Sequence, residues 1–214
     1  MPPSAPLKRK LVIIGDGACG KTSLLTVFTL GHFPLHHIPT VFENFVSEVR
    51  IDKRLVDLSI WDTAGQEEYE RLRLLSYSGT NVLLIAFSLD STDSLENVED
   101  KWIDEVNTQC YGCPVLLIGL KKDLRDDAIA SGRSDWQKDF VTTEQGQALA
   151  TRMGALRYLE CSALRNEGVS KVFEHATRAA LAGKTGRSRK NKSRNSRHSS
   201  SSKSPLTPNC CILM

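Results

Sequence analysis

The sequence predicts an α/β fold: a mostly parallel six-stranded sheet with one antiparallel edge strand and helices on both faces. Short apolar runs rich in β-branched residues alternate with segments of helical periodicity along most of the 214 residues, which is typical of a parallel sheet covered by helices. Residues 42–51 and 55–61 are separated only by a turn near Asp52 and Lys53, so these two runs are predicted to pair antiparallel. Such a fold binds its ligands outside the carboxyl ends of the parallel strands.

The strands and helices follow one another in a regular order. The first strand, K-L-V-I-I, is a short apolar run that ends at Gly15. A continuous apolar run of this kind is typical of a parallel strand buried on both faces. Ser91 or Thr92 is placed to cap the second helix, and Thr142 with Gln145 resembles a capping box before the third. The predicted strands are residues 10–14, 42–51, 55–61, 82–89, 114–120 and 156–161, and the predicted helices are residues 22–29, 95–106, 148–153 and 169–180.

Composition excludes several classes of protein. With 40% hydrophobic and 25% charged residues, the chain is neither wholly disordered nor collagen-like. The longest apolar runs, residues 82–87 and 115–118, are far shorter than the ~20 residues of a membrane-spanning helix. The first residues lack an apolar stretch of signal-peptide length, and the six unevenly spaced cysteines suit a reducing compartment better than a disulfide framework.

Charge divides the chain into regions. The formal net charge is +3, but residues 183–214 hold eight basic residues and no acidic ones, which leaves 20 basic against 25 acidic residues in 1–182. The last segment also contains a serine run and two prolines, so we expect it to be disordered. The predicted organisation is a flexible N-terminus over residues 1–7, a globular domain over 8–182 and a basic tail over 183–214.

A glycine-rich loop follows the first strand. Residues 15–22 read G-D-G-A-C-G-K-T and fit the G-x-x-x-x-G-K-[ST] pattern of a P-loop NTPase. The glycines let successive N–H groups point at phosphate oxygens, and the N-terminus of the next helix adds its positive end. Lys21 would bridge the β- and γ-phosphates, while the Thr22 hydroxyl would bind Mg²⁺. The predicted phosphate-binding residues are Gly15, Asp16, Gly17, Ala18, Cys19, Gly20, Lys21, Thr22 and Ser23.

A second segment, D-T-A-G-Q over residues 62–66, follows the strand that ends in Ile60 and Trp61. Asp62 would be a partner of the Mg²⁺ ion. Because Gly65 has no side chain, its N–H could approach the γ-phosphate closely. Gln66 carries a donor and an acceptor and so could orient a water for in-line attack.

These motifs, together with P-T-V-F-E-N at 39–44 and E-E-Y-E-R-L-R at 67–73, resemble those of a Rho-type small GTPase of the Ras superfamily. The resemblance covers roughly residues 8–182. Asn209, Cys210 and Cys211, with L-K-K-D at 120–123, most resemble the second class of fungal Rho paralogues.

The resemblance implies a role for further residues. Thr40 would bind Mg²⁺ when the γ-phosphate is present, residues 33–44 and 64–77 would be switches I and II, and Phe33 would pack on the guanine. Catalysis would rest on Gln66, Lys21 and Thr40. Base recognition would rest on Lys121, Asp123, Ser162 and Ala163, because a carboxylate at Asp123 can accept from both guanine N1–H and N2–H₂ whereas adenine lacks this donor pair.

The chain departs from the family's usual pattern at four positions. Leu120 replaces an asparagine near the base, and Leu164 replaces a lysine after Ser162 and Ala163. His37 and Phe45 replace two tyrosines. We expect the loss of the amide at position 120 to loosen nucleotide retention.

Two remaining features receive plainer interpretations. Residues 125–140, which include Trp136, match the extra helix of the Rho group. Cys110 and Cys113 form a C-x-x-C pair with no second pair near it, so we interpret them as surface thiols rather than zinc ligands.

The C-terminal residues C-I-L-M, 211–214, match the box for prenylation at Cys211, with farnesyl or geranylgeranyl as the lipid and Cys210 open to palmitoylation. Basic residues of the tail would add attraction to an anionic membrane surface. A nucleic-acid-binding tail is the alternative, but this basic segment has no aromatic residues for base stacking.

The resulting hypothesis is a monomeric, lipid-anchored switch on the cytoplasmic face of the plasma membrane, with a cytosolic pool, that binds GTP or GDP with Mg²⁺ and hydrolyses GTP. The resemblance implies GTPase-activating proteins, exchange factors, a dissociation inhibitor and effector kinases as partners, with outputs in actin, cell polarity and cell-wall synthesis. Alternatives are a GTP-locked binding module and an ATP-using P-loop kinase; Gln66 speaks against the first and Asp123 against the second.

Overall fold

The computed structural model describes residues 5–35 and 40–183, and it contains the predicted sheet. The strand order is β2-β3-β1-β4-β5-β6; β2 runs antiparallel to β3 at one edge, and the other neighbours pair in parallel. The strands are β1 (Leu7–Gly15), β2 (Phe42–Ile51), β3 (Arg54–Thr63), β4 (Val82–Ser88), β5 (Val115–Leu120) and β6 (Arg157–Glu160). The predicted strands are therefore confirmed, with ends that differ by up to three residues.

Helices cover both faces of this sheet. The helix that begins directly after the 3-10 turn Glu67–Tyr69 was not predicted, because its six residues are too short for a periodic pattern. The helices are α1 (Lys21–Leu30), α2 (Glu70–Leu75), α3 (Thr92–Asn97), α4 (Ile103–Gln109), α5 (Lys122–Ala130), α6 (Thr143–Arg152) and α7 (Val169–Ala182).

Two hydrophobic cores lie on opposite faces of the sheet. Alternate residues of β1 supply them: Leu11 and Ile13 face one core, while Val12 and Ile14 face the other. The first core is closed by α1 and α7, whose Phe28 and Phe173 rings stack with centroids 3.6 Å apart. Because β1 is buried on both faces, it forms a rigid base for the loop that follows it.

Both predicted helix caps are present. The Ser91 hydroxyl accepts from the Ser94 N–H at 3.1 Å, and Thr142 and Gln145 form a reciprocal capping box with bonds of 2.8 and 3.2 Å. These caps satisfy backbone donors that have no partner inside the helix.

A π-helical segment, Val98–Trp102, joins α3 to α4 without a break. Its last residue, Trp102, is completely buried in the second core. The sequence periodicity predicted a helix here but not the wider turn.

The segment 125–140 contains the end of α5 and a 3-10 turn, Trp136–Lys138.

Cys110 and Cys113, predicted as surface thiols, are half-buried where α4 ends. None of the helices in the described ranges is long and apolar enough to cross a membrane. The proposed tail, 183–214, lies outside the described residues except for Gly183.

Candidate functional site: a cavity at the carboxyl edge of the sheet

The parallel pairing of β1 with β3 brings the two predicted phosphate segments together. Ile13, just before the glycine-rich loop, lies opposite Asp62 in the register. The Thr63 hydroxyl donates to the Ile13 carbonyl at 2.7 Å and ties the two strand ends to each other. Consequently residues 15–22 and 62–66, which are distant in sequence, face one another at the carboxyl edge of the sheet.

The glycine-rich loop is held by its own lysine. Lys21 is buried, and its ammonium donates to the carbonyls of Gly15 at 2.8 Å and Asp16 at 2.7 Å. Gly15 has a φ of 140°, and a Cβ there would lie 2.0 Å from the Ala86 carbonyl oxygen, so only glycine fits against β4. The loop curls back on itself and presents its backbone to the cavity.

Three side-chain oxygens converge beside this loop. The Thr22 hydroxyl lies 2.5 Å from the Thr40 hydroxyl and donates to Asp62 Oδ2 at 2.6 Å. Asp62 Oδ1 is buried and has no hydrogen-bond partner among the described residues, and burial raises the pKa of this carboxyl group. A buried carboxylate oxygen without a partner beside two hydroxyls is a hard-oxygen donor set, which fits Mg²⁺.

Gly65 packs directly against the loop. A Cβ on Gly65 would lie 2.3 Å from both the Asp16 carbonyl carbon and the Gly17 nitrogen, so no other residue fits without moving the backbone. Next to it, Gln66 is exposed, and its side-chain atoms lie 3.6–3.7 Å from the position that a Gly17 Cβ would occupy. Gln66 therefore faces the glycine-rich loop.

The other end of the cavity carries the predicted base-recognition residues. Asp123 is buried, and its Oδ1 accepts from the Ser162 hydroxyl at 2.5 Å. The same Ser162 oxygen accepts from the Arg165 N–H at 3.0 Å. Ser162 thus acts through its side chain, orienting the Asp123 carboxylate, as well as through the loop that it begins.

A buried ion pair connects the segment that carries Asp123 to the segment that carries Ser162. Arg125 donates to the Val141 carbonyl at 2.9 Å and to both carboxylate oxygens of Glu160. Glu160 Oε1 also accepts from the hydroxyls of Tyr158 at 2.7 Å and Thr143 at 3.0 Å. This network joins the helix that carries Asp123 to the strand before Ser162, so the base end of the cavity is rigid.

The cavity between these ends has a volume of about 470 Å³. Five predicted residues do not line it: Gly15, Asp16, Cys19, Asp62 and Ser162. The predicted residues that do line it are Gly17, Ala18, Gly20, Lys21, Thr22, Ser23, Phe33, Thr40, Gly65, Gln66, Lys121, Asp123 and Ala163. The lining residues Pro34, Leu35, Thr63 and Ala64 lie in the predicted switch and D-T-A-G-Q segments but were not named as site residues, and Leu124 was missed altogether.

The departures from the family pattern change the base end. Leu120 is 2% exposed and belongs to the first core, and its side chain lies 3.7 Å from the position a Gly20 Cβ would take. Leu164 lines the cavity but is 59% exposed. Phe45 is half-buried against the first core. His37 lies outside the described residues, as do Cys210 and Cys211.

The structure adds one buried arginine that sequence reasoning did not identify. Arg73 of α2 is 1% exposed, and its guanidinium donates to the carbonyls of Ala64 at 2.9 Å and Gln66 at 3.4 Å. Its Nε and Nη2 donate to the two oxygens of Glu105 at 2.7 and 2.9 Å. Arg73 therefore clamps the backbone on both sides of Gly65.

Further contacts connect this clamp to the glycine-rich loop. The guanidinium lies 4.8 Å from the centre of the Trp102 ring, and the Trp102 indole N–H donates to Asp16 Oδ1 at 2.8 Å. Asn97 donates to the other Asp16 oxygen at 3.0 Å. Although burial favours the neutral acid, the bonds from Arg73 and Tyr77 lower the pKa of Glu105, so the clamp stays an ion pair.

Comparison with known proteins agrees with this geometry. The family model described as Ras family matches residues 10–182. The chain is 56% identical over 179 residues to "GTP-binding protein rho2" of Schizosaccharomyces pombe, which covers 83% of this chain and 90% of the relative. It is 58% identical over 176 residues to "GTP-binding protein rho1" of the same yeast, covering 82% and 87%.

A human protein is also similar. "Rho-related GTP-binding protein RhoB" of Homo sapiens is 52% identical over 178 residues, 83% of this chain and 91% of the relative. The identities of 56% and 58% to rho2 and rho1 do not separate the paralogue classes, so the assignment to the second fungal class stays a prediction.

Proposed function

This chain belongs to the Ras family as a GTP-hydrolysing small GTPase of the Rho type, and on that premise we propose how its cavity works. The glycine-rich loop with Lys21 and Thr22 holds the phosphates, Asp123 selects guanine, and Gln66 directs the attacking water. The observation that carries this proposal is the single cavity lined at one end by Lys21, Thr22 and Gln66 and at the other by Asp123.

Lys21 and the N–H groups of the loop bind the phosphate oxygens at the N-terminus of α1, where the helix dipole favours negative charge. Thr22, Thr40 and the free Oδ1 side of Asp62 would hold Mg²⁺, since all three residues supply hard oxygens at one point. When bound, Mg²⁺ neutralises charge that develops on the β- and γ-phosphates.

Hydrolysis requires a water placed in line with the bond that breaks. Gln66 faces the loop beside Gly17, where its amide can accept from a water and hold it in position. No arginine occurs in residues 33–44, so switch I itself lacks a cation for the transition-state charge. We propose that an activating protein supplies an arginine, an effect of ~10³–10⁵ on the rate.

The change of state follows from how Gly65 and Thr40 are held. Gly65 lies against the loop backbone and Thr40 contacts Thr22, so both switch segments are positioned by the phosphate end of the cavity. Loss of the γ-phosphate removes contacts that both segments share, which releases them together. The switch reports which nucleotide is bound.

Apolar side chains near the switches support binding to regulators and effectors. Val41, Val46, Leu72 and Leu75 are 45%, 71%, 43% and 72% exposed, and exposed apolar groups of this kind are typical of protein-binding surfaces. We propose that this surface binds the exchange factors, activating proteins, dissociation inhibitor and effector kinases that act on actin, polarity and the cell wall. The chain itself acts as a monomer without nucleic acid.

For the C-terminal segment we propose attachment to the cytoplasmic face of the plasma membrane, with a cytosolic pool. One lipid on Cys211 gives only marginal binding, so a second lipid on Cys210 and the eight basic residues of 183–214, at about 1 kcal/mol each near an anionic leaflet, would complete the anchor.

Mass spectrometry of the C-terminal peptide from the native host checks this anchor. The expected result is a farnesyl or geranylgeranyl group on Cys211, absent from a Cys211→Ser variant that then moves to the soluble fraction. An unmodified Cys211 on the membrane-bound protein would contradict lipid anchoring.

The catalytic proposal predicts the behaviour of Gln66→Leu. This variant should bind GTP and GDP as the wild type does but release phosphate ~10²-fold more slowly, since it loses only the group that positions the water. Single-turnover phosphate release and nucleotide affinity measure the two effects. Wild-type protein that binds GTP without releasing phosphate would support the GTP-locked alternative instead.

Arg73 is proposed as a positioning residue for the segment that carries Gln66. Arg73→Ala should lower the rate of GTP hydrolysis by ~10- to 100-fold, the range for a reacting group displaced by about 1 Å, while GDP affinity stays unchanged. Arg73→Lys should recover only part of the rate, because an ammonium cannot form the two-sided clamp.

Arg71, exposed on the same helix, is the matched control, and Arg71→Ala should leave intrinsic hydrolysis unchanged. Equal losses of hydrolysis and of nucleotide affinity in Arg73→Ala would indicate a general loss of structure and would reject a positioning role.

Leu120 is proposed to shorten nucleotide retention. Leu120→Asn should slow GDP release roughly 2- to 10-fold, which corresponds to one added hydrogen bond of about 0.5–1.5 kcal/mol. Release of a fluorescent GDP analogue measures the rate, with Leu124→Asn at another lining position as the control. Release from Leu120→Asn at the wild-type rate would refute this role.

A further inference from the structure

A pair of thiols lies outside the nucleotide cavity, at the end of α4. Cys110 closes the helix with its N–H on the Val106 carbonyl at 2.8 Å, and the Cys113 N–H donates to the Cys110 carbonyl at 2.9 Å. Gly112 has a φ of 77°, and this left-handed residue lets the chain turn back sharply. Because the Cys113 N–H bonds to the carbonyl three residues earlier, the two cysteines are the first and last residues of a tight turn. The Cα atoms at the ends of such a turn lie within about 7 Å of each other, a separation that a disulfide can bridge.

The two thiols have opposite acidities. The hydrogen bond from Cys113, the Thr80 hydroxyl and the ammonium of Lys10 lower the pKa of Cys110 against the effect of burial. The same bond and burial raise the pKa of Cys113. The two pKa values are thus shifted in opposite directions, as in reactive C-x-x-C pairs, where the sulfur of lower pKa is the one that attacks.

The surroundings keep the pair in place. Lys10 is fixed above the Trp61 ring, 3.5 Å from its centre, and donates to the Ser78 carbonyl at 2.9 Å. The Cys113 thiol lies 3.7 Å from the Pro114 carbonyl and 3.9 Å from the Thr80 carbonyl.

Access distinguishes this pair from the other cysteines in the described ranges. Cys110 and Cys113 are half-buried, and Tyr111 between them is 90% exposed. Cys19 and Cys161 are 2% and 0% exposed, and burial raises the pKa of both. Within residues 5–35 and 40–183, no group of three or more Cys, His, Asp or Glu could hold a metal ion, so the pair is not part of such a centre.

We propose that Cys110 and Cys113 are a redox-active dithiol that a peroxide oxidises reversibly to an intramolecular disulfide. The Cys110 thiolate attacks one peroxide oxygen, the O–O bond breaks, and hydroxide leaves with the proton that Cys110 had lost, as water. The Cys113 sulfur then attacks the sulfur of the Cys110 sulfenic acid, the S–O bond breaks, and a second water leaves with the Cys113 proton. The two sulfurs lose two electrons in total, and the peroxide gains them.

Such a bond would be regulatory rather than structural, because disulfides in reducing compartments are generally transient or redox-sensing. A thiol reductant such as glutathione or thioredoxin returns the pair to the dithiol by exchange. The proposal is independent of the nucleotide chemistry, so neither depends on the other being correct.

The test treats the reduced, GDP-loaded full chain with hydrogen peroxide. A non-reducing digest should yield one linked peptide joining Cys110 to Cys113, with a mass two hydrogens lower than the reduced form and restored by dithiothreitol. Cys19 and Cys161 should stay free and become alkylated only on unfolding. Oxidised protein without the Cys110–Cys113 link would overturn the proposal.

Two variants test the order of the steps. Cys113→Ser should stop at a sulfenic acid on Cys110, which dimedone traps, and Cys110→Ser should lose the rapid reaction with peroxide. A dimedone adduct on another described cysteine, or an unchanged peroxide rate in Cys110→Ser, would reject Cys110 as the attacking group. The wild-type peptide map decides the proposal even if a variant folds poorly.

Discussion

The parallel pairing of β1 with β3 is the constraint on which the rest of this structure depends. It places Ile13 opposite Asp62, so the chain leaving each strand enters the same small volume. Gly65 can then lie against Asp16 and Gly17 at a distance that excludes any side chain. If the two strands slipped by one residue, Asp62 would point to the other face and the metal donors would separate.

Two buried ion pairs hold the two ends of the cavity in place against the sheet. Arg125 with Glu160 supports the loops that carry Asp123 and Ser162. Arg73 with Glu105 does the same at the phosphate end. In each case the arginine also donates to a backbone carbonyl, Arg73 to that of Ala64 and Arg125 to that of Val141. The same guanidinium therefore pairs with a carboxylate and holds a loop in place.

Much of the site could be predicted because its signals are local. The glycine-rich loop and the segment from Asp62 to Gln66 each place chemistry directly after an apolar strand, and Thr142 with Gln145 marks a cap three residues apart. Arg73 gave no such signal, since its partner Glu105 is 32 residues away and neither residue breaks a pattern. Cys110 and Cys113 were visible as a motif, but their placement at the two ends of one tight turn and their half-burial follow only from the fold.

The π-helical segment Val98–Trp102 shows how helix geometry reaches the loop. In a regular α-helix, Asn97 and Trp102 would point about 140° apart, whereas a turn closed by i→i+5 bonds places residues five apart one above the other. Both side chains therefore donate to Asp16, Asn97 to one carboxylate oxygen and Trp102 to the other. The wider turn thus directs both donors at the glycine-rich loop, so the spacing between Asn97 and Trp102 matters as much as their identity for anchoring Asp16.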